Sequence, residues 1–468
     1  MSCRILIDCG LFETRIAAIQ DDKLTDLIIE HDDAKSVIEN IYLGRVTGFS
    51  DTMDGAFIDL GGNVSGLLLG RDIPSPDQSN PPVRQKLHEG EKCVVQVIKD
   101  AKDGKAAQLS AFPELGKPDL IYKPVSKGAI FSRKFKDKEV RQEIRDALGS
   151  FSGGVTLRSR AMGKTPIFLS ETLASLLLDW TDIQAQVKKN QAPRLLRAGR
   201  PAELTLAAEH ISDNPTLAVN DPARYKGLTT VIKREGLMQI SCSLWTKSEL
   251  LFDAHDIEGQ IDDATAKRLP LPSGGNITIE ETEALVVIDV NSGANDKTSG
   301  LKSVAFSTNE EAASLAAEQI RLRNLSGIII IDFIHMPQKD DHRKIETILR
   351  HLTANDPSAV RVIGMTELGL MQLTRQRKRP PLSRLNASTL NCTTGTVPRA
   401  IASKLSTDLQ RFANSHKTRV ISLAVSPDLA PLLKQSCANF ENTLSVTLIW
   451  KIDLALRDFA FSLSRPSK

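Results

Sequence analysis

The sequence predicts a multidomain protein that combines α/β and all-β parts, with a parallel β-α-β unit at its centre. The chain has 468 residues, well past the size at which a single hydrophobic core stops growing. Two uninterrupted aliphatic runs, Ala284-Leu-Val-Val-Ile-Asp289 and Ile328-Ile-Ile-Ile-Asp332, have the length and β-branching of strands covered on both faces. Between residues 41 and 109, five short strand-like segments bend at Gly44, Gly48, Gly55, Gly61, Gly62 and Gly66, the pattern of a small, partly open barrel of the OB type.

Composition narrows the function classes. Hydrophobic residues at 41% and charged residues at 25% are ordinary for a soluble globular protein, and no apolar run approaches membrane-spanning length. A net charge of +3 does not announce a polyanion partner, so any such partner must be met by local basic runs. Aromatics make up only 4% of the chain, so an aromatic in a binding position counts for more. Cys3, Cys9, Cys93, Cys242, Cys392 and Cys437 are scattered without a Cys-x-x-Cys pair, and a reducing cytoplasm is expected. Arg4, Asp8, Glu13 and Arg15 argue against a secretory leader. With no long charged tail following the small C-terminal stretch (398–468), no scaffold for a multi-enzyme assembly is expected.

Taken in order, residues 3–9, 14–19 and 24–30 read as three strands, too few for a domain and therefore expected to pair with later segments. The barrel strands follow at 41–49, 56–60, 65–69, 93–99 and 106–109. Barrels of this type bind single-stranded nucleic acid with an aromatic platform flanked by cations. Phe57 is the natural platform and Lys99 and Lys105 the phosphate partners; the rival reading places Phe57 in the barrel core. Residues 140–148 and 171–189 read as helices, and the strand at 154–157 ends in Arg158-Ser159, a guanidinium and a hydroxyl suited to a terminal phosphate. Residues 204–208, 216–219, 229–234 and 240–243 read as strands, and Pro270, Pro272, Gly274 and Gly275 mark a turn-rich approach to the central unit.

In that unit Thr308 and Glu311 are spaced as a capping box, Ala312, Leu315, Ala316 and Ile320 share one face, and Gly327 is placed to close the helix. Parallel strands bring Asp289 and Asp332 to the same sheet edge, where open α/β folds place their ligands. Either aspartate alone would more often be a turn residue accepting backbone amides. Two carboxylates together call for a bridging cation, and Mg²⁺ is the economical choice. Residues 340–353 read as a helix, 360–363 as a strand and 368–379 as a helix ending in Arg375, Arg377, Lys378 and Arg379, with Pro380-Pro381 stopping it. A polar linker then leads to a small α/β domain at the C-terminal end.

The strings ALVVIDVNSG, FSTNEEAASLAAEQIRLRNLSGIIIIDFIHM and TELGLMQLTRQR, with NIYLGRV and GAFIDLG upstream, resemble the ribonuclease E/G family of bacterial endoribonucleases. The resemblance implies an RNase H-like domain (1–35 plus 203–264) into which an S1-type OB barrel (36–112) is inserted, and a 5′-end sensor region at 113–202. It further implies a DNase I-like catalytic domain with a parallel sheet (265–380), a linker (381–397) and a small C-terminal domain (398–468). The implied activity is Mg²⁺-dependent cleavage of single-stranded RNA to 5′-phosphate and 3′-hydroxyl ends, in rRNA processing and mRNA decay. Residue by residue, Asp289 and Asp332 would hold the metal and Asn291 would support them. Phe57, Lys99 and Lys105 would contact RNA, with Leu67 in place of a second aromatic, and Arg375 and Arg377 would contact its backbone. Arg158 and Ser159 would sense a 5′-monophosphate. His335 stands where the family has an acidic residue, and Cys392 is the one cysteine left in the linker, so a zinc link between subunits is not expected. A homodimer through other surfaces stays open. An RNA-binding paralogue that has lost cleavage is the alternative function.

Overall fold

Glycines at close strand crossings let the first sheet close on itself. The computed structural model describes residues 3–31, 35–62, 64–75, 81–101, 105–210, 214–293, 301–392 and 395–466. They belong to two units, residues 35–201 and residues 1–34 with 202–468. In the former, strands Ile41–Ser50, Gly55–Gly61, Val64–Leu69, Ala107–Ser110 and Lys92–Lys99 pair in that order, and the last pairs back onto the first to close a five-stranded, OB-like barrel. A Cβ on Gly44 would lie 2.3 Å from Ile58 Cγ2, and one on Gly66 would lie 2.6 Å from Leu109 Cγ, so only glycine allows these approaches. Val46, Ile58, Leu60, Leu68, Val95, Val97 and Leu109 fill the interior.

The same unit continues into a four-stranded sheet ordered Gly128–Phe131, Gly154–Leu157, Leu120–Lys123, Leu115–Gly116, with helices Lys138–Leu148 and Pro166–Lys189 contributing to one shared core. Asp137 caps the first helix by accepting from the Glu139 and Val140 amides, and Thr165 caps the second, whose first residue is Pro166.

In the other unit, the three N-terminal strands Cys3–Cys9, Glu13–Gln20 and Lys23–His31 pair in sequence and join later chain through the first of them. Cys3–Cys9 runs parallel to Thr216–Val219, which runs parallel to Ser241–Leu244. Residues 204–208 and 229–234, read above as strands, lie instead in helices Ala202–Glu209 and Pro222–Glu235. The second has both end signals: Asp221 accepts from the Arg224 amide, and Gly236 ends it in the left-handed region at φ 67°.

A buried ion cluster ties this sheet to the long helix Leu301–Leu322. Arg321 donates to both oxygens of Asp26 at 2.9 and 2.7 Å, and His210 Nε2 lies 3.8 Å from the same carboxylate. Burial by itself would raise the Asp26 carboxyl, but the neighbouring His210 cation and the hydrogen-bonded Arg321 hold it at about 2; pairing with Asp26 lifts His210 to about 10. His210, raised from 6.5, adds stability that is complete below about pH 6.5 and lost as pH climbs through about 10. Asp26, lowered from 3.8, adds stability present above that pH and lost as pH falls through about 2. Urea unfolding should therefore show stability declining from pH 6.5 upward. Asp26→Asn should cost about 3 kcal/mol at pH 6 and flatten that decline; an unchanged slope would show that the two groups are not coupled.

The sheet that carries the two aspartates is ordered Arg268–Pro270, Asn276–Glu281, Leu285–Asn291, Gly327–Asp332, Leu370–Arg375, Val360–Met365. It is mixed and not parallel as expected: only Leu285–Asn291 and Gly327–Asp332 run parallel, and their neighbours are antiparallel. The long connection between the parallel strands carries a helix, whereas Asn276–Glu281 and Leu285–Asn291 are joined by a short turn that imposes antiparallel pairing. Val360–Met365 and Leu370–Arg375 form a second such hairpin, whose returning strand lies antiparallel beside Gly327–Asp332. Val286, Ile288, Val290, Ile329 and Ile331 pack against Ala312, Ala313, Ala316 and Ile320 of the connecting helix. That helix begins at Leu301, so Thr308 lies inside it and no capping box forms there; it ends at Leu322, and Gly327 at φ 90° opens the next strand. Residues 370–375, expected in a helix, form a strand in which Met371, Leu373 and Arg375 are buried. The small C-terminal domain has a three-stranded sheet ordered Thr447–Ile452, Val420–Val425, Phe461–Ser464, which shares a core with helices Arg399–His416 and Ala430–Leu444. Among the described residues no helix is long and apolar enough to cross a membrane.

Candidate active site

The β-α-β connection places Asp289 and Asp332 opposite each other. They are register partners at the C-terminal ends of the two parallel strands, which sets their Cα atoms about 4.8 Å apart. Side chains alternate along each strand, and Ile288, Val290, Ile331 and Phe333 are buried. The two aspartates therefore share the opposite, exposed face. Asn291, next on that face, donates from Nδ2 to Asp289 Oδ2 at 2.7 Å, fixing the carboxylate's orientation. The donor set is two hard carboxylates on a solvent-facing sheet edge, with room for other oxygen ligands, and it fits a hard divalent cation that keeps part of its hydration shell. Among the described residues no group of three or more His, Cys, Asp and Glu side chains converges there. His335 is exposed three residues beyond Asp332.

Backbone register also assembles the barrel's candidate surface. Gly48 pairs with Phe57, Phe57 with Leu67, Leu67 with Gln108 and Gln108 with Lys99, forming one row across four strand boundaries. Phe57 is half-buried while Ala56 and Ile58 are fully buried, so it alternates to the outer face and the core reading of Phe57 does not hold. Lys99 is exposed at the end of the row, and Lys105 is exposed just before the last barrel strand. Leu67 and Gln108 complete this surface, and only the pairing register identifies Gln108 as part of it.

Arg158 and Ser159 are exposed at the end of strand Gly154–Leu157. Arg200 Nη2 donates to Gly116 O at 3.3 Å, on the residue whose Cβ position lies 4.0 Å from Arg158 Nη2, so both guanidiniums lie beside Gly116. Solvent reaches one flank of Arg158, yet desolvation of its guanidinium and the like charges of Arg200 and Arg160 lower its pKa. Burial raises the carboxyl of Asp119, while Lys164, Arg160 and Arg158 pull it down. The locus is thus richer in cations than Arg158-Ser159 alone suggested.

The basic run divides in two. Arg375 is 4% exposed. Its Nε donates to Asp356 at 2.9 Å and its Nη1 to Asn324 Oδ1 at 2.8 Å and Leu325 O at 3.0 Å. Its assignment as an RNA contact is corrected accordingly, because the side chain is enclosed and these donors are spent on groups inside the fold. Arg377 is exposed. Neither residue adjoins the carboxylates. Arg375 pairs with Gly327 and Leu370 with Asp332, so the basic end lies five residue steps, roughly 17 Å, from Asp332 along the strand. In the linker, Cys392 ends a strand, Thr389–Cys392, that pairs with Gly395–Pro398; burial pushes its thiol pKa up.

A model of the ribonuclease E/G family matches residues 118–378. Ribonuclease G of Escherichia coli K12 is 28% identical over 460 residues, covering 93% of each chain. Ribonuclease E of Haemophilus influenzae is 31% identical over 384 residues, covering 79% of this chain and 41% of that protein. Ribonuclease E of E. coli K12 is 30% identical over 385 residues, or 36% of its length. The chain thus spans about two-fifths of those ribonuclease E sequences and nearly all of ribonuclease G. With the family model spanning more than half of its residues, including both strand-end aspartates, the chain belongs to the ribonuclease E/G family.

Proposed function

We propose that the protein is an endoribonuclease that hydrolyses single-stranded RNA, with Asp289 and Asp332 holding Mg²⁺ and Asn291 orienting Asp289. The observation that carries this is the register pairing of the two aspartates on an exposed face, inside the region that matches the family model. When bound, the cation would supply charge neutralisation at the phosphodiester and a site for the attacking water. The balance is that of hydrolysis: water oxygen bonds to phosphorus, the bond to the 3′-oxygen breaks, and that oxygen leaves as a hydroxyl, so the downstream fragment keeps a 5′-phosphate. The surface row of Phe57, Leu67, Gln108 and Lys99, with Lys105, supports an S1-type role in which one aromatic platform and flanking cations hold the strand with loose sequence preference. Arg377 supplies a further backbone contact. Processing of rRNA and decay of mRNA in the bacterial cytoplasm are the settings that suit this activity, and a homodimer is compatible with it.

Incubation with 5′-monophosphorylated single-stranded RNA should give cleavage in Mg²⁺ and none in EDTA. Binding without cleavage in Mg²⁺ would overturn the reading in favour of an RNA-binding paralogue. For the 5′ end, we infer that Arg158 and Ser159 hold the terminal phosphate, with Arg200 as a neighbouring cation beside Gly116. A charge-assisted hydrogen bond is worth roughly 1.5–3 kcal/mol, or about 10- to 100-fold. Arg158→Ala should therefore erase most of any preference for 5′-monophosphate over 5′-hydroxyl RNA, and an unaltered ratio of kcat/KM values would refute the assignment.

A further inference from the structure

Asp332 ends its strand, and the chain leaves the sheet through Phe333 and Ile334. The Ile334 peptide is not orphaned. Asn309, in the connecting helix and 0% exposed, accepts from Ile334 N at 3.0 Å through Oδ1 and donates from Nδ2 to Ile334 O at 2.8 Å. The side-chain amide takes the place of a strand partner, which needs one donor and one acceptor in the same plane. One residue, the buried Phe333, separates this clamp from Asp332.

The same helical turn reaches the other aspartate's strand. Glu311 Oε2 accepts from Ser273 N at 2.9 Å, holding the turn that leads to Gly275. A Cβ on Gly275 would lie 2.5 Å from Asn291 O and 3.3 Å from Thr308 Cγ2, so that turn is pressed between Asn291 and Thr308. Thr308, Asn309 and Glu311 therefore touch the segments that flank both carboxylates.

We propose that this helical turn gauges the separation of the two carboxylates, with Asn309 the positioning residue for Asp332 and Glu311 that for Asn291; this rests on the metal-site reading above. Residues that orient metal ligands typically change metal affinity or activity by about 10- to 100-fold when removed. A buried amide serving only the core would change stability and leave metal affinity alone.

The test uses the full chain without RNA. Mn²⁺ binding is followed by its paramagnetic resonance signal, alongside the Mg²⁺ dependence of cleavage and the unfolding temperature in EDTA. Asn309→Ala should raise the Mn²⁺ dissociation constant and the half-saturating Mg²⁺ by about tenfold or more, with activity partly restored at high Mg²⁺. Asn309→Asp, isosteric and still able to accept from Ile334 N, should shift both in the same direction by less. Unchanged metal affinity in a folded variant overturns the proposal. So does loss of the native fold in both variants, since the clamp would then be holding the core. Asp289→Asn is measured in parallel: if it too leaves Mn²⁺ binding untouched, the metal site itself has been misassigned, a failure distinct from that of Asn309.

Discussion

Asp289→Asn should lower the rate of RNA cleavage by about a thousandfold or more while leaving RNA affinity in EDTA intact or slightly stronger. Removing one of two charged ligands forfeits several kcal/mol of charge stabilisation in the transition state, and each 1.36 kcal/mol is a factor of ten. The ground state responds differently. Two adjacent carboxylates repel both each other and an incoming phosphodiester, so neutralising one relieves repulsion when no cation is present. Mg²⁺ held by the pair should raise the unfolding temperature of the wild type by binding the folded state, and the same variant should show no such rise. Asp332→Asn should behave alike, and the double variant should be little worse than either single one, because the two carboxylates act as a unit. Asn291→Ala, which removes only the 2.7 Å bond that orients Asp289, should cost about tenfold. Turnover that survives in Asp289→Asn would mean that other carboxylates do the work.

The strand-end aspartates were legible because a continuous aliphatic run has few alternatives to a covered strand, and a helix between two such runs leads to parallel pairing. What surrounds them was not. Asn309 directly follows Thr308, which reads as a helix cap, and nothing in Ser307-Thr308-Asn309 announces that its amide will meet the Ile334 peptide, which is 25 residues away in the chain. Residues 229–234 show a different failure: Thr-Thr-Val-Ile fits a strand by propensity, yet the flanking Asp221-Pro222 and Gly236 are helix end signals that fix its state. In the barrel, the strands follow from the glycine-punctuated pattern, but the sequence left Phe57 open between surface and core, and Gln108 becomes a neighbour of Lys99 and Leu67 only once the register is known.

Arg375 shows how a period can be read two ways, and its replacement carries the largest expected loss of stability. Leu370, Met371 and Leu373 suit one face of a helix, but Met371, Leu373 and Arg375 are the buried members of a two-residue alternation whose third place is taken by a cation. Its partner Asp356 is equally enclosed, with side-chain exposures of 3% and 5% for the pair. Arg375→Ala leaves Asp356 charged and buried, and strands Asn324 Oδ1 and Leu325 O; breaking a buried pair in this way costs about 3–5 kcal/mol. Arg375→Lys should recover little, because a single ammonium cannot reproduce the fork that reaches Asp356, Asn324 and Leu325 together. Replacing both partners with apolar residues, as in Arg375→Met with Asp356→Leu, should restore much of the loss, since no uncompensated charge remains. Arg377→Ala, at an exposed position, should change stability by less than about 0.5 kcal/mol while weakening RNA binding and reducing its salt dependence. Urea unfolding and salt-dependent RNA titration of the two arginine variants separate the roles. A stable Arg375→Ala protein with weakened RNA binding would return Arg375 to the RNA surface and remove it from the core.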